Sequence, residues 1–295
     1  PRPHLQLVNE VPALDCCQRF SGGQLRAHVD GPEGRLDAIA ALLADQPVGG
    51  HSQTFAEDIV DRLLDGVGIG AHEELGRVPA NVLLQVASAV AALAHPDDAV
   101  VGEEGPDTAG QSGCTWILDP IDGTRDYLRG RRGWAVSVAL VEDGAVRIGI
   151  LAAPARNELW VAQAGQGATR NGKALQAGSR TQLPGARVPA DQLPRTDRDL
   201  VAVEKPNSIA LRMALVAADE ADLVATVRWG NEWDVAAAAL ICQEAGATVT
   251  DALGDPLRFN RPQPTAFGLL CAAPGIHGAA AERLAPRAQE ILGRG

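Results

Sequence analysis

An apolar run that ends in two aspartates and a Gly-Thr pair, Trp116-Ile117-Leu118-Asp119-Pro120-Ile121-Asp122-Gly123-Thr124, restricts the fold more than any other stretch of this 295-residue chain. The apolar residues predict a buried strand, and Asp-Pro followed by Asp-Gly predicts a turn at its end. Pro120 fixes its own φ and has no N–H, so the chain after Asp119 is not expected to continue as a paired central strand. The bend draws two carboxylates together. Like charges at short range repel unless something positive stands between them, and hard divalent cations favour oxygen ligands of this kind. The Ile121 carbonyl lies between the two aspartates and can serve as a third oxygen. Gly123 and Thr124 then offer backbone N–H groups where a helix can begin, a place that suits a phosphate. Both dipeptides are also ordinary turn formers, so this stretch alone does not separate structure from chemistry.

Two other segments tilt the balance. Val100-Val101-Gly102-Glu103-Glu104 reads as a short strand ending in paired acids. Glu232-Trp233-Asp234-Val235-Ala236-Ala237 opens an alanine-rich stretch and places Asp234 at a helix start, where an acid caps the helix or is free to bind metal. With Gly165-x-Gly167-Ala168-x-x-Asn171-Gly172 and Glu244-Ala245-Gly246, these segments resemble the magnesium-dependent, lithium-sensitive phosphatases that include inositol monophosphatase and 3'(2'),5'-bisphosphate nucleotidase. The resemblance covers about residues 98 to 277. It implies a layered αβαβα sandwich of the inositol monophosphatase type, mixing α+β and α/β parts, and a homodimer.

The resemblance also implies a site. Glu103, Asp119 and the Ile121 carbonyl would hold one magnesium; Asp119, Asp122 and Asp234 would hold a second; Glu104 would support a third, looser one. Glu103 with Thr124 would orient and deprotonate the attacking water, and the Gly123 and Thr124 amides would bind the phosphate. Phosphate esters hydrolyse very slowly unaided, and two cations ~3.5 to 4 Å apart neutralise charge at both the attacking and the leaving oxygen.

The chain departs from the family pattern upstream. Where the family has Val-Thr-x-x-Asp, this chain has Val78-Pro79-Ala80-Asn81-Val82, and no lysine precedes Lys173. Glu73 and Glu74 are candidate substitutes, and an altered metal dependence at the third site is expected. Inositol-specific members carry a glutamate seven residues before the last motif aspartate; here that residue is Val227, followed by Arg228. An aliphatic side chain cannot accept hydrogen bonds from ring hydroxyls, whereas an arginine can meet a second phosphate. The leading expectation is therefore a 3'(2'),5'-bisphosphate nucleotidase acting on 3'-phosphoadenosine 5'-phosphate, with an inositol-1-monophosphatase or other polyol phosphatase as the alternative. A paralogue that keeps the fold and acts by binding is the reading from another class. Lys205, Asn207, Ser208 and Arg212 fall where the family places a loop and helix beside the substrate. Trp229 and Trp233 are candidates for stacking on a base, with core packing the expected role of both.

Composition limits the partners. A net charge of -11 disfavours nonspecific binding to a nucleic acid polymer but not a small phosphorylated metabolite held through cations. The six histidines form no metal-ligand spacing. Five cysteines without C-x-x-C spacing read as reduced thiols, the N-terminus lacks a signal pattern, and no apolar run reaches the ~20 residues of a membrane span; a cytoplasmic protein without a membrane partner is expected.

Periodicity predicts helices over 35–45, 55–64 and 80–94, with the glycine-rich 66–70 as a loop. Alternation over 134–140, 146–152 and 158–162, broken by turn residues, predicts an antiparallel meander, and Asn171-Gly172 is the strongest hairpin signal. The second half alternates strands at 200–203, 223–227, 248–250 and 267–272 with helices at 208–218, from Asp234, and after His277. The expected organisation is a divergent segment over 1–50, an α+β subdomain over 51–180 carrying the metal motifs, and an α/β subdomain over 181–295.

Overall fold

The computed structural model describes residues 97–103 and 107–293. The helices expected upstream, the 66–70 loop, Glu73, Glu74, Val82 and Glu104 lie outside the described residues. Strand β1 (Ala99–Gly102) runs parallel to β2 (Cys114–Asp122). From β2 the chain continues as the predicted meander through β3 (Ala135–Glu142), β4 (Ala145–Ala153), β5 (Glu158–Gln163), β6 (Gly167–Arg170) and β7 (Lys173–Ala174). Among the described residues the result is a seven-stranded sheet whose strand order follows the sequence. Its turns use the residues that tolerate positive φ: Asp143 and Gly144 at 54° and 75°, and Asn171 and Gly172 at 50° and 71°.

The central strand behaves differently from the expectation that it stops at Asp119. β2 stays in the sheet to Asp122, and the register skips between Asp119, opposite Ser137, and Asp122, opposite Ala135. Pro120 falls inside this bulge, where a missing N–H removes no ladder bond. The chain bends within the strand instead of leaving it.

Among the described residues, two helices cover the sheet. α1 (Thr124–Leu128) is a single short turn after β2; α2 (Ile209–Ala217) and α3 (Glu232–Glu244) form the layer proper. The run Val235 to Ala239 of α3 is wholly buried. It lies so close to β4 that a Cβ added at Gly149 would stand 2.6 Å from the Ala237 carbonyl oxygen, which is why small residues occupy both sides of the contact. At the far end of α3, the Glu244 carboxylate accepts hydrogen bonds from the Gly165 and Gly167 N–H groups at 2.7 and 2.8 Å and fastens the β5–β6 turn to the helix.

Beyond the helices, β10 (Leu223–Asn231), β12 (Thr265–Ala272) and β11 (Thr248–Thr250) form an antiparallel sheet in the order β10-β12-β11. α4 (Pro274–Leu292) packs against β12 and β10. The described residues thus stack as sheet, helices, sheet, helix, in keeping with the expected layered sandwich. α4 starts at Pro274, ahead of the expected start after His277, because proline at a first helical position gives up no hydrogen bond.

The proline- and arginine-rich 177–198 region contains β8 (Arg187–Pro189), paired in parallel with β9 (Val201–Val203). The buried Asp222 carboxylate holds it, accepting from Arg180 Nε and from the backbone N–H, Nε and Nη2 of Arg187. Cys114 is disulfide-bonded, which corrects the reading of all five cysteines as reduced thiols. Cys242 and Cys271 are free and buried. Among the described residues no helix is long and apolar enough to cross a membrane.

Candidate active site

Three of the acids predicted as ligands are delivered by secondary structure. Asp119 and Asp122 flank the β2 bulge, both buried, at 1% and 7% exposure. Asp234 is the third residue of α3, two positions inside the helix start, where its Oδ2 accepts from the Asn231 N–H in a reciprocal capping box. Glu103 follows β1, exposed, with its N–H donating to the Leu118 carbonyl at 3.2 Å. Glu104 lies outside the described residues.

These acids share one electrostatic space. Burial, and after it the charges of Asp122, Glu103 and Asp234, push the Asp119 carboxyl well above the usual carboxylate range, against the one favourable hydrogen bond from the Ile121 N–H. Burial likewise raises Asp122 to about 7 and Asp234 to about 6. The charges acting on Asp119 are all of its own sign. A hard divalent cation fits such a donor set of buried carboxylates beside a carbonyl.

The carboxylates are not drawn into a tight cage, since among the described residues no three His, Cys, Asp or Glu side chains are grouped closely enough to ligate one ion. The hydrogen bonds supply the reason. Asp119 Oδ1 accepts from the Ile121 N–H at 2.8 Å. Asp122 caps α2 from outside: its Oδ2 accepts from Ser208 Oγ and from the Ala210 N–H at 2.8 Å, and its Oδ1 from the Ile209 N–H at 3.3 Å. Each aspartate therefore turns at least one oxygen toward a donor of the protein.

The α2 start sits directly on the central turn. Gly123 has φ 93°, and a Cβ there would come within 2.8 Å of both the Gly133 carbonyl oxygen and the Ser208 nitrogen, so only glycine lets the two segments meet. The Ser208 N–H donates to the Gly133 carbonyl at 2.8 Å and the Asn207 N–H to Asp126 Oδ2 at 3.2 Å. Thr124 Oγ1 donates to the Ile121 carbonyl at 3.0 Å. Of the substrate candidates, Ser208 and Asn207 are thus engaged with the turn itself, and Lys205 is ion-paired with Asp191.

A cleft of about 500 Å³ opens from Asp234. Lys205, Arg212, Arg228 and Arg287 line it, with Trp229 and Asn231. Arg212 is partly buried, its Nε and Nη2 held by the carbonyls of Pro206 and Asn207 at 2.8 and 2.6 Å. Arg287 comes from α4, and nothing local to it in the sequence announces the cleft. Val227 is buried with Ala252, Phe267 and Ala288, while Arg228 is exposed. Trp233 packs against the main core as expected, but Trp229 is 63% exposed, which overturns its expected role in core packing.

This combination of layered fold and acidic turn has known counterparts. The inositol monophosphatase family model matches residues 81–292, and the chain belongs to that family, whose members are generally metal-dependent. It is a phosphomonoesterase of that family. Over 193 residues it is 37% identical to a Nus factor SuhB of Xylella fastidiosa, the match covering 60% of this chain and 69% of that protein. Over 167 residues it is 35% identical to a fructose-1,6-bisphosphatase/inositol-1-monophosphatase of Thermotoga maritima, covering 54% of this chain and 64% of that protein. It therefore spans about two thirds of the length of these relatives. The crystal structure of SaIMPase-II bound to inositol monophosphate shares the fold, with a TM-score of 0.67 at 22% identity over 80% of this chain and 96% of that one.

Proposed function

We propose that the protein is a magnesium-dependent phosphomonoesterase whose substrate carries a second anionic group, with 3'-phosphoadenosine 5'-phosphate the leading candidate. The observation that carries the substrate reading is the cleft beside Asp234, lined by the four cations Lys205, Arg212, Arg228 and Arg287. A polyol that carries a single phosphate needs no such lining once that phosphate is held. Arginine forks suit a further phosphate.

Glu103, Asp119 and the Ile121 carbonyl would hold one magnesium, and Asp119, Asp122 and Asp234 a second, with Glu104 at a third. Bound magnesium would neutralise charge on the phosphate and make water more acidic. The remaining work belongs to the chain. The Gly123 and Thr124 amides would orient the phosphate. Thr124 Oγ1 gives its proton to the Ile121 carbonyl, so it can only accept from a water. That water would direct one O–H at Thr124 and the other at Glu103, which would take the proton as the water attacks in line.

The test is phosphate release with magnesium, with and without lithium, from 3'-phosphoadenosine 5'-phosphate and inositol 1-phosphate side by side. Lithium-sensitive release that favours the nucleotide is expected. A preference for inositol 1-phosphate would overturn the substrate reading in favour of the polyol alternative, and tight binding without turnover would favour the binding paralogue.

A further inference from the structure

An exposed tryptophan in the middle of a strand calls for a cause, and the cause here is a bulge. On β10, Thr226 pairs with Leu269 and Trp229 with Phe267, so three steps on one strand match two on the other. Regular alternation would send Arg228 and Trp229 to opposite faces. The extra residue instead leaves both exposed, with Val227 buried behind them. Opposite the bulge lies Gly268, at φ 68°, where a Cβ would stand 2.4 Å from both the Thr226 carbonyl oxygen and the Ala252 Cβ. The distortion is thus built into both strands. Phe267, itself buried, braces the indole edge-on, with ring centroids 5.3 Å apart at 60°.

The indole therefore stands in the wall of the same cleft as Arg212 and Arg228. We propose that Trp229 is a specificity-determining platform on which the flat base of the substrate stacks, while Arg228 and Arg212 meet its second phosphate. This rests on the nucleotide reading of the cleft given above and deepens it. Stacking on an indole selects any flat heteroaromatic ring and gives nothing to a polyol, so the platform separates nucleotides from sugar and inositol phosphates.

The experiment compares the wild type, Trp229→Ala and Trp229→Phe. Release of phosphate is followed from 3'-phosphoadenosine 5'-phosphate, from fructose 1,6-bisphosphate as a bisphosphate without a flat ring, and from inositol 1-phosphate. Binding of 3'-phosphoadenosine 5'-phosphate is measured in parallel by calorimetry with calcium in place of magnesium. Trp229→Ala should lower kcat/KM for the nucleotide by between about fivefold and about 150-fold, mostly through KM. That is ~1 to 3 kcal/mol of base stacking at about 1.4 kcal/mol per tenfold. The two ring-free esters should change by less than about twofold, and Trp229→Phe should recover most of the loss. Equal losses on all three esters, no loss on any, or no nucleotide binding by the wild type would each overturn the platform. Weaker nucleotide binding by Trp229→Ala in a protein that releases no phosphate would keep the platform and sink the phosphatase reading. Release from the ring-free esters alone would do the reverse.

Discussion

Asp119 has the least comfortable surroundings of any residue in the site. It is buried, it faces three other acids, and one backbone hydrogen bond opposes that cost. Asp119→Asn removes the charge and keeps the shape. We expect it to lower phosphate release by at least about 100-fold, the scale of losing a preorganised charge-stabilising group, and to raise the melting temperature of the metal-free protein; unchanged phosphate release would exclude Asp119 from the site. The same charges fix the direction of a pH effect. The folded chain holds protons on Asp122 and Asp234 up to about 7 and about 6, against an ordinary value of 3.8. Their contribution to stability is fully present below the ordinary value and is lost as pH rises through these higher ones. Asp222, held down by Arg187, goes the other way, and its contribution is lost only as pH falls below the ordinary range. Between pH 5 and pH 8, then, metal-free protein should lose stability, seen as a falling urea midpoint in EDTA, and magnesium should restore more of it at pH 8 than at pH 5. A midpoint that stays level across that range would contradict the unshielded cluster.

Among elements, β12 decides the shape of the cleft through Gly268. Gly268→Ala would force a positive φ on alanine and drive its Cβ into Thr226 and Ala252. A loss of about 2 to 4 kcal/mol in stability is expected from overpacking and backbone strain together, measured by chemical denaturation; a loss under about 1 kcal/mol would mean that the bulge relaxes freely. The sequence made some elements plain and hid others. The meander was legible because alternation and the dipeptides Asp143-Gly144 and Asn171-Gly172 are local signals. Asp119, Asp122 and Asp234 were legible for the same reason, each lying at a turn or a helix start. The β10 bulge was not, since the expected strand stops at Val227, short of the distortion, and Gly268, which lies opposite it, sits on another strand. Pro120 misleads in the opposite sense: its local signal is a strand end, and the ladder goes on past it to Asp122. Arg287 reaches the cleft only through the packing of α4, a relation no local pattern encodes.

At the scale of the whole molecule, the Glu244 carboxylate is one of the polar contacts that join the layers among the described residues. Glu244→Gln keeps one acceptor oxygen but loses the charge that two backbone N–H groups share. It should cost about 1 to 2 kcal/mol while leaving KM unchanged, because the contact lies at the end of α3 away from Asp234; a shifted KM would show that the turn and the cleft communicate. The two segments joined here, Gly165 to Gly172 and Glu244 to Gly246, are among those that marked the family in the sequence, and they are two sides of a single clasp. A chimaera that takes its meander from one relative and its helical layer from another would therefore draw the two halves of the clasp from different parents, and the natural seam for recombining such chains lies where no carboxylate reaches across.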